Sequence, residues 1–205
     1  MKNNNPIVQF AILLLTASAA CGQVTFIYDQ QTSTNDSGIF IGGAYINNVN
    51  GPAQSFTPSL SAVGFVRLFI SDNNAQDLLG TILVVNLRSS SMSGPILAST
   101  APVALPTGWA AIVNFVFDNP APVIPGDTYY FDIMRLDGVD TWTANINFYN
   151  YAGGTLFLAG TPDPSNRDMW FREGIYVVPE PSSAAVFLIG SGLISWRLRK
   201  PRRKA

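Results

Sequence analysis

Apolar and polar residues alternate with a period of two through the middle of the chain. In VGFVRLFI (Val63 to Ile70), Val66, Leu68 and Ile70 share one face, and Phe65, Arg67 and Phe69 share the other. The same alternation runs through TILVVNLR (Thr81 to Arg88), AAIVNFVFD (Ala110 to Asp118) and DTYYFDIMRL (Asp127 to Leu136). It continues in TWTANINFY (Thr141 to Tyr149), GTLFLAG (Gly154 to Gly160) and DMWFREGIYV (Asp168 to Val177). These segments are rich in β-branched and aromatic residues and are bounded by Gly, Pro, Asn, Asp and Ser, the punctuation of strands. No stretch carries a sustained helical stripe with caps. The pattern predicts an all-β fold, an antiparallel β-sandwich of jelly-roll-like kind, over residues 23–178. Asp137-Gly138-Val139-Asp140, between two strong strands, predicts a hairpin turn. Ala121 to Asp127 predicts a loop whose prolines bar ladder bonds, and the Gly-Gly pairs at 42–43 and 153–154 predict bends in strands. No internal repeat recurs at a fixed period, which argues against propellers and solenoids.

The two ends break this pattern. Residues 1–22 read as a signal helix: Lys2 gives a positive start, Ile7 to Leu15 is mostly apolar, and small residues run from Ala17 to Gly22. That order is the layout of a secretory signal peptide, with cleavage sites after Ala19, Ala20 or Gly22. Cys21, the chain's one cysteine, offers a rival reading as a lipidation site, although Ser18 stands where a branched aliphatic residue is usual. Cleavage beyond Cys21 leaves a domain with no cysteine, held by packing without disulfides. At the other end, Ser182 to Trp196 is fifteen residues without a charge. As a helix it covers about 22 Å, short of a bilayer core of about 30 Å unless Arg197 and Arg199 snorkel. It is apolar all round, which an amphipathic helix packed on a domain is not. The basic cluster Arg197, Arg199, Lys200, Arg202, Arg203 and Lys204 follows, and the positive-inside rule keeps it in the cytoplasm.

Pro179-Glu180-Pro181, a short apolar helix and a terminal Arg/Lys cluster together resemble the PEP-CTERM sorting signal, over residues 179–205. The resemblance implies recognition by an exosortase-type processing enzyme, a membrane cysteine protease-transpeptidase that cuts near the Pro-Glu-Pro. It further implies a transient hold at the inner membrane, release to the cell surface or matrix, and use alongside exopolysaccharide. Such a signal is an address and not an activity, because it is carried by very different domains. The stretch GPAQSFTPSLSAVGFVRLFISD and the later PGDTYYFDI also resemble β-sandwich domains found in PEP-CTERM proteins, some of them vaguely like carbohydrate-binding modules.

Charge and residue types narrow the chemistry between the ends. Residues 23–178 hold five arginines, no lysine, eleven Asp and one Glu, which leaves a net charge of −7 and no electrostatic footprint for nucleic acid. Without histidine, lysine or cysteine there is no Ser-His-Asp, Cys-His or Ser-Lys nucleophile, no Schiff base and no His-based zinc site. Paired carboxylates remain chemically open for glycoside hydrolysis, with Asp132, Asp137, Asp140 and Glu173 as candidates, but Asp is also the common residue of turns. No cofactor is expected. A structural calcium ion, which takes 6–8 oxygen ligands, would use the loops Asp72 to Asp77 or Asp163 to Asp168. A sugar-stacking platform would draw on Trp170, Trp142, Tyr149 and Tyr151, with Trp109 as a further indole. Alternation puts Trp142 with Ala144 and Ile146 on a core face, and puts Trp170 beside Arg172, where it is predicted to be the more exposed. The expected function is an exported, non-enzymatic surface or matrix protein; the alternative is a carbohydrate-binding module acting on extracellular polysaccharide.

Overall fold

The computed structural model describes residues 24–36, 43–74, 76, 79–138 and 141–178. Both predicted terminal segments, the signal peptide over 1–22 and the sorting segment over 179–205, therefore lie outside the described residues. The described strands form two antiparallel sheets within a unit spanning Phe26–Tyr176. The first sheet holds β1 (Thr25–Gln31), β2 (Gly43–Tyr45), β4 (Ala62–Asp72), β8 (Ala110–Pro122), β10 (Trp142–Asn147), β13 (Asp168–Met169) and β14 (Phe171–Val177). The second holds β3 (Ala53–Phe56), β5 (Thr81–Ser89), β6 (Ile96–Ser99), β7 (Val103–Leu105), β9 (Tyr129–Asp137), β11 (Leu156–Leu158) and β12 (Thr161–Pro162). The chain passes between the sheets at most connections, so the pairings are dominated by contacts distant in sequence.

Each sheet is built on one long apolar strand. β4 pairs with β8 along one side; along the other it pairs first with β14, from Phe65 to Leu68, and then with β10, from Ile70 to Asp72. β9 lies between β5 and β3, with Phe131 opposite both Leu87 and Gln54. The inward faces meet as alternation predicts. Val66, Leu68 and Ile70 of β4 face a layer containing Leu83, Val85, Leu87, Phe131 and Ile133, all fully buried. Its aromatic centre is Phe56, Phe131 and Phe171: ring centroids lie 5.8 Å apart for Phe56–Phe131 and 5.2 Å for Phe131–Phe171. Aromatic pairs at such separations add to the area they bury.

On the outer face of the first sheet, side chains of its edge strand β1 meet those of β4 and β14. Phe26 and Tyr28 meet Phe65 edge to face, with centroids 4.8 Å and 5.7 Å away. The Arg67 guanidinium lies over both rings, and Arg172 lies over Tyr28 and Trp170. A ladder of alternating cation and ring thus runs along the face where Arg67 and Arg172 stand opposite each other in register.

Three local expectations change. The strands flanking Asp137 to Asp140 are not the two arms of a hairpin, because β9 belongs to the second sheet and β10 to the first; Val139 and Asp140 themselves lie outside the described residues. The strand β8 runs on to Pro122, with Ala121 opposite Val63 and Pro122 opposite Ala62, so the loop starts later than the prolines suggest. Among the described strands β8 pairs only with β4, and a proline nitrogen turned away from that partner costs no ladder bond. The segment DMWFREGIYV is two strands because it changes partner: Asp168 and Met169 pair with β10, Trp170 still donates its backbone N–H to Asn145 O at 2.9 Å, and from Phe171 the chain pairs with β4.

β14 also buries a carboxyl group. Glu173 follows Phe171 on the inward face and is fully buried, accepting the Gln30 backbone N–H at 3.1 Å through Oε1. Its Oε2 has no hydrogen-bond partner among the described residues. Burial, with the charge of nearby Asp29 adding to it, pushes the Glu173 carboxyl up to about 8. Asp29 moves the other way. Burial acts against its charge, but hydrogen bonds from the Ser59 hydroxyl and from the Leu60 and Ser59 backbone N–H groups hold it below the ordinary range. The folded protein therefore keeps Glu173 neutral beside an ionised Asp29.

Two measurements test this packing. Phe131→Ala should destabilise the domain by about 3–5 kcal/mol, seen as a lower denaturant midpoint, because it opens a cavity between the sheets. Glu173 binds its proton in the folded state but releases it near pH 4.5 when unfolded, so its contribution to stability is full below that pH. The contribution is lost as pH rises through about 8. The melting temperature should fall between pH 5 and pH 8, and Glu173→Gln, which mimics the protonated form, should flatten that slope. Equal slopes in the two proteins would mean that Glu173 is ionised throughout.

Candidate functional site

The pleat that points Phe131 and Ile133 of β9 into the core points Tyr130, Asp132 and Met134 outward. Its neighbour β5 buries Leu83, Val85 and Leu87 and leaves Asn86 and Arg88 on the same outer face. Register sets Asn86 opposite Asp132 and Arg88 opposite Tyr130, which brings Arg88 diagonally onto Asp132. The result is a hydrogen-bonded chain across three strands. Ser99 Oγ donates to Asn86 Oδ1 at 2.7 Å, and Asn86 Nδ2 donates to Asp132 Oδ2 at 3.1 Å. Arg88 Nε donates to Asp132 Oδ1 at 2.6 Å, and its Nη1 donates to Gly94 O at 2.9 Å. The ion pair is nearly buried on the carboxylate side and partly open on the arginine side.

This face forms the floor of a cleft of about 510 Å³. Residues 48–51 make one wall and Ser91, Met92 and Ser93 another, while Phe157 on β11 extends the floor beyond Tyr130. Phe157 and Tyr130 meet edge to face with centroids 5.6 Å apart. Close backbone approaches hold both walls down. A Cβ on Gly51 would stand 2.0 Å from Ile133 O, and one on Gly94 would stand 1.9 Å from Ser89 O. The rim also bends through left-handed conformations at Asn50 (φ 54°), Ser90 (φ 67°) and Ala159 (φ 50°), costly for side-chain-bearing residues and common near functional surfaces. A smaller hollow of about 320 Å³ lies between Tyr45, Ile146, Leu158 and Arg167, sharing Asn50 with the larger one.

The residues proposed from sequence for sugar stacking are not on this cleft. Trp142 is fully buried in the core, its indole N–H without an acceptor among the described residues. Trp170, expected to be the more exposed, is only 2% exposed, because the Arg172 side chain lies over its ring at 5.0 Å. Tyr151 packs edge to face on Phe171 at 5.2 Å and donates its hydroxyl to Gln30 Oε1 at 3.1 Å; burial pushes its phenol up to about 12. Tyr149 hydrogen-bonds Asn145, and burial raises its phenol as well. The structure therefore does not join these four side chains into a platform. Trp109, at 41% exposed, does present its ring to solvent.

In the two oxygen-rich loops Asp72, Asp163 and Asp168 are engaged by protein donors, while Asp77 lies outside the described residues. Asp163 receives Arg167 Nε and Nη2, both at 2.9 Å, and the arginine's hydrogen bonds hold its carboxyl below the ordinary range. Asp168 turns inward to Gln54 Nε2 and the Tyr151 backbone N–H, and burial raises it. Asp72 accepts from Asn74 N and Gly108 N, both at 2.7 Å. Among the described residues no three acidic, histidine or cysteine side chains come together as a metal site. Of the four carboxylates considered as acid–base candidates, Asp132 lies on the cleft floor, Glu173 lies in the core, Asp137 is exposed at the end of β9, and Asp140 lies outside the described residues. Sequence reasoning did not single out Arg88, Tyr130 or Phe157. Their signal was present as polar or aromatic residues on outward positions of strands whose inward positions are fully apolar.

Two comparisons with known proteins bear on the chain. Residues 177–203 match the family described as PEP-CTERM protein-sorting motif. No curated protein matches the chain. That motif implies export, a transient anchor in the membrane and processing by an exosortase. The chain is thus a β-rich ectodomain followed by a PEP-CTERM sorting motif.

Proposed function

We propose that the protein is a non-enzymatic component of the cell surface or extracellular matrix, delivered there by its two terminal segments. Residues 1–22 act as the signal peptide, and the apolar stretch after Pro181 acts as a single short helix that holds the chain at the inner membrane. The exosortase acts near Pro179-Glu180-Pro181, and the basic cluster from Arg197 to Lys204 stays on the cytoplasmic side until then. The observation that carries the reading is the sorting motif at residues 177–203, beginning where β14 ends at Val177. The passage of the chain from sheet to sheet supports the jelly-roll-like description of the delivered domain. The absence of histidine from the chain, and of lysine from residues 23–178, supports a role in binding over one in nucleophilic catalysis.

A second reading, a carbohydrate-binding module acting on exopolysaccharide, is favoured by the cleft on the second sheet. Its floor combines aromatic rings with fixed polar groups, the pairing that small-molecule sites use for affinity and orientation.

The delivery reading is tested by producing the full chain in cells that hold an exosortase and taking the intact mass of the exported product. The expected product ends near Pro179 to Pro181. Replacing both prolines by alanine should leave the basic C-terminus attached. A wild-type product that keeps that terminus would overturn the sorting role.

A further inference from the structure

The cleft on the outer face of the second sheet contains polar groups that the fold itself does not use. Arg88 spends Nε on Asp132 and Nη1 on Gly94 O, while its Nη2 makes no hydrogen bond among the described residues. The Tyr130 hydroxyl and the side-chain amides of Asn48 and Asn50 are likewise without protein partners there, and all four residues line the cleft. The buried part of the network, by contrast, is satisfied: each Asp132 oxygen receives a donor, and both ends of the Asn86 amide are engaged. A scaffold that fixes its buried polar atoms and leaves its exposed ones open is preorganised to receive a ligand's hydroxyl groups.

The surroundings narrow the ligand. The cleft volume of about 510 Å³ falls in the range of roughly 300–1,000 Å³ usual for small-molecule sites. Beside the polar groups, Tyr130, Phe157, Met134 and Met92 give the lining an apolar half. An anion gains little here, because the cleft's one cation already stands 2.6 Å from a carboxylate and the pair carries no net charge. A wholly apolar ligand would strip water from Arg88 Nη2 and the amides and return no hydrogen bond. A neutral sugar ring satisfies both halves: its C–H face rests on an aromatic ring, and its hydroxyl rim meets donors and acceptors held in place.

We propose that this cleft binds a short stretch of neutral polysaccharide, with the Tyr130 ring as the stacking surface and Arg88, Asn48 and Asn50 as the hydroxyl-binding groups. This deepens the carbohydrate-binding reading and rests on it, but it places the site away from Trp142 and Trp170. Asp132 receives its donors from Arg88 and Asn86 and so holds Arg88 in position, while Arg88 Nη2 and the Tyr130 ring contact the sugar.

The test is affinity electrophoresis of the exported protein through gels containing laminarin, dextran, mannan or galactan, with polygalacturonate as the anionic comparator. At least one neutral polymer should retard the protein. Tyr130→Ala should weaken that retardation at least tenfold, Tyr130→Phe only a few-fold, and Trp109→Ala, outside the cleft, not at all. Matching melting temperatures for the Tyr130→Ala and Tyr130→Phe proteins ensure that the loss is read as binding. Retardation untouched by Tyr130→Ala but abolished by Trp109→Ala would overturn the cleft and keep the carbohydrate reading. Retardation by none of the neutral polymers, or by polygalacturonate alone, would overturn the proposal. The mass of the exported product, measured separately, judges delivery whichever way the gels run.

Discussion

The pleat of β9 is the constraint on which core and cleft both depend. A strand has two faces and one register, so the choice that buries Phe131 and Ile133 also exposes Tyr130, Asp132 and Met134. A slip by one residue would drive Asp132 between the sheets and turn Phe131 to solvent. Burying an unpaired carboxylate is costly enough to forbid that alternative on its own. The aromatic contacts of Phe131 with Phe56 and Phe171 act in the same direction. Core packing and surface chemistry are therefore specified together, and the cleft inherits the rigidity of the central strand of its sheet.

Polar residues do more of the structural work here than the composition suggests. With no disulfide available to residues 23–178, long-range cross-links come from side-chain hydrogen bonds. Gln54 receives the Met169 backbone N–H and donates to Asp168, tying β3 in one sheet to β13 in the other. Thr32 joins the end of β1 to β14 through the Phe171 backbone, and Asp29 gathers the Ser59 and Leu60 backbone N–H groups. Each such bond contributes only about 1 kcal/mol net, but losing one partner would leave the other buried and unpaired. The domain is acidic, yet its arginines are distributed with economy. Arg88, Arg167 and Arg172 each sit against a carboxylate, and Arg67 sits against rings.

How much of this was legible in the sequence follows from which interactions are local. The seven alternating segments all contain strands, and the inward set of β4 was readable because burial on one face leaves a period-two signature. β3 was not readable: AQSF has no apolar alternation, although it lies beside the central strand of its sheet. Its four residues are all buried because strands, loops and Gln54's own partners cover both faces, which is a tertiary fact. β1 was missed for a related reason, since Phe26 and Tyr28 are only partly covered and their partner Arg67 is distant in sequence. Trp170 was misjudged because a neighbouring arginine usually marks a wet face, whereas Arg172 here lies flat over the indole and seals it.

The cleft illustrates the same limit more sharply. Its floor and walls come from residues 48–51, 88–93, 130–134 and 157–160, four segments that no local pattern connects. Single-residue reasoning favours tryptophan as a sugar platform, because its face is largest; sandwich packing favours tryptophan for the core, for the same reason. In this protein the core takes Trp142 and the cation–ring ladder takes Trp170. What remains for the outward face of the second sheet is the smaller, amphipathic pair of Tyr130 and Phe157 beside a neutralised ion pair. A surface of that kind gains little from charge and much from shape and hydrogen-bond geometry. Those are the properties on which the proposed binding of a neutral sugar by a domain of net charge −7 would rest.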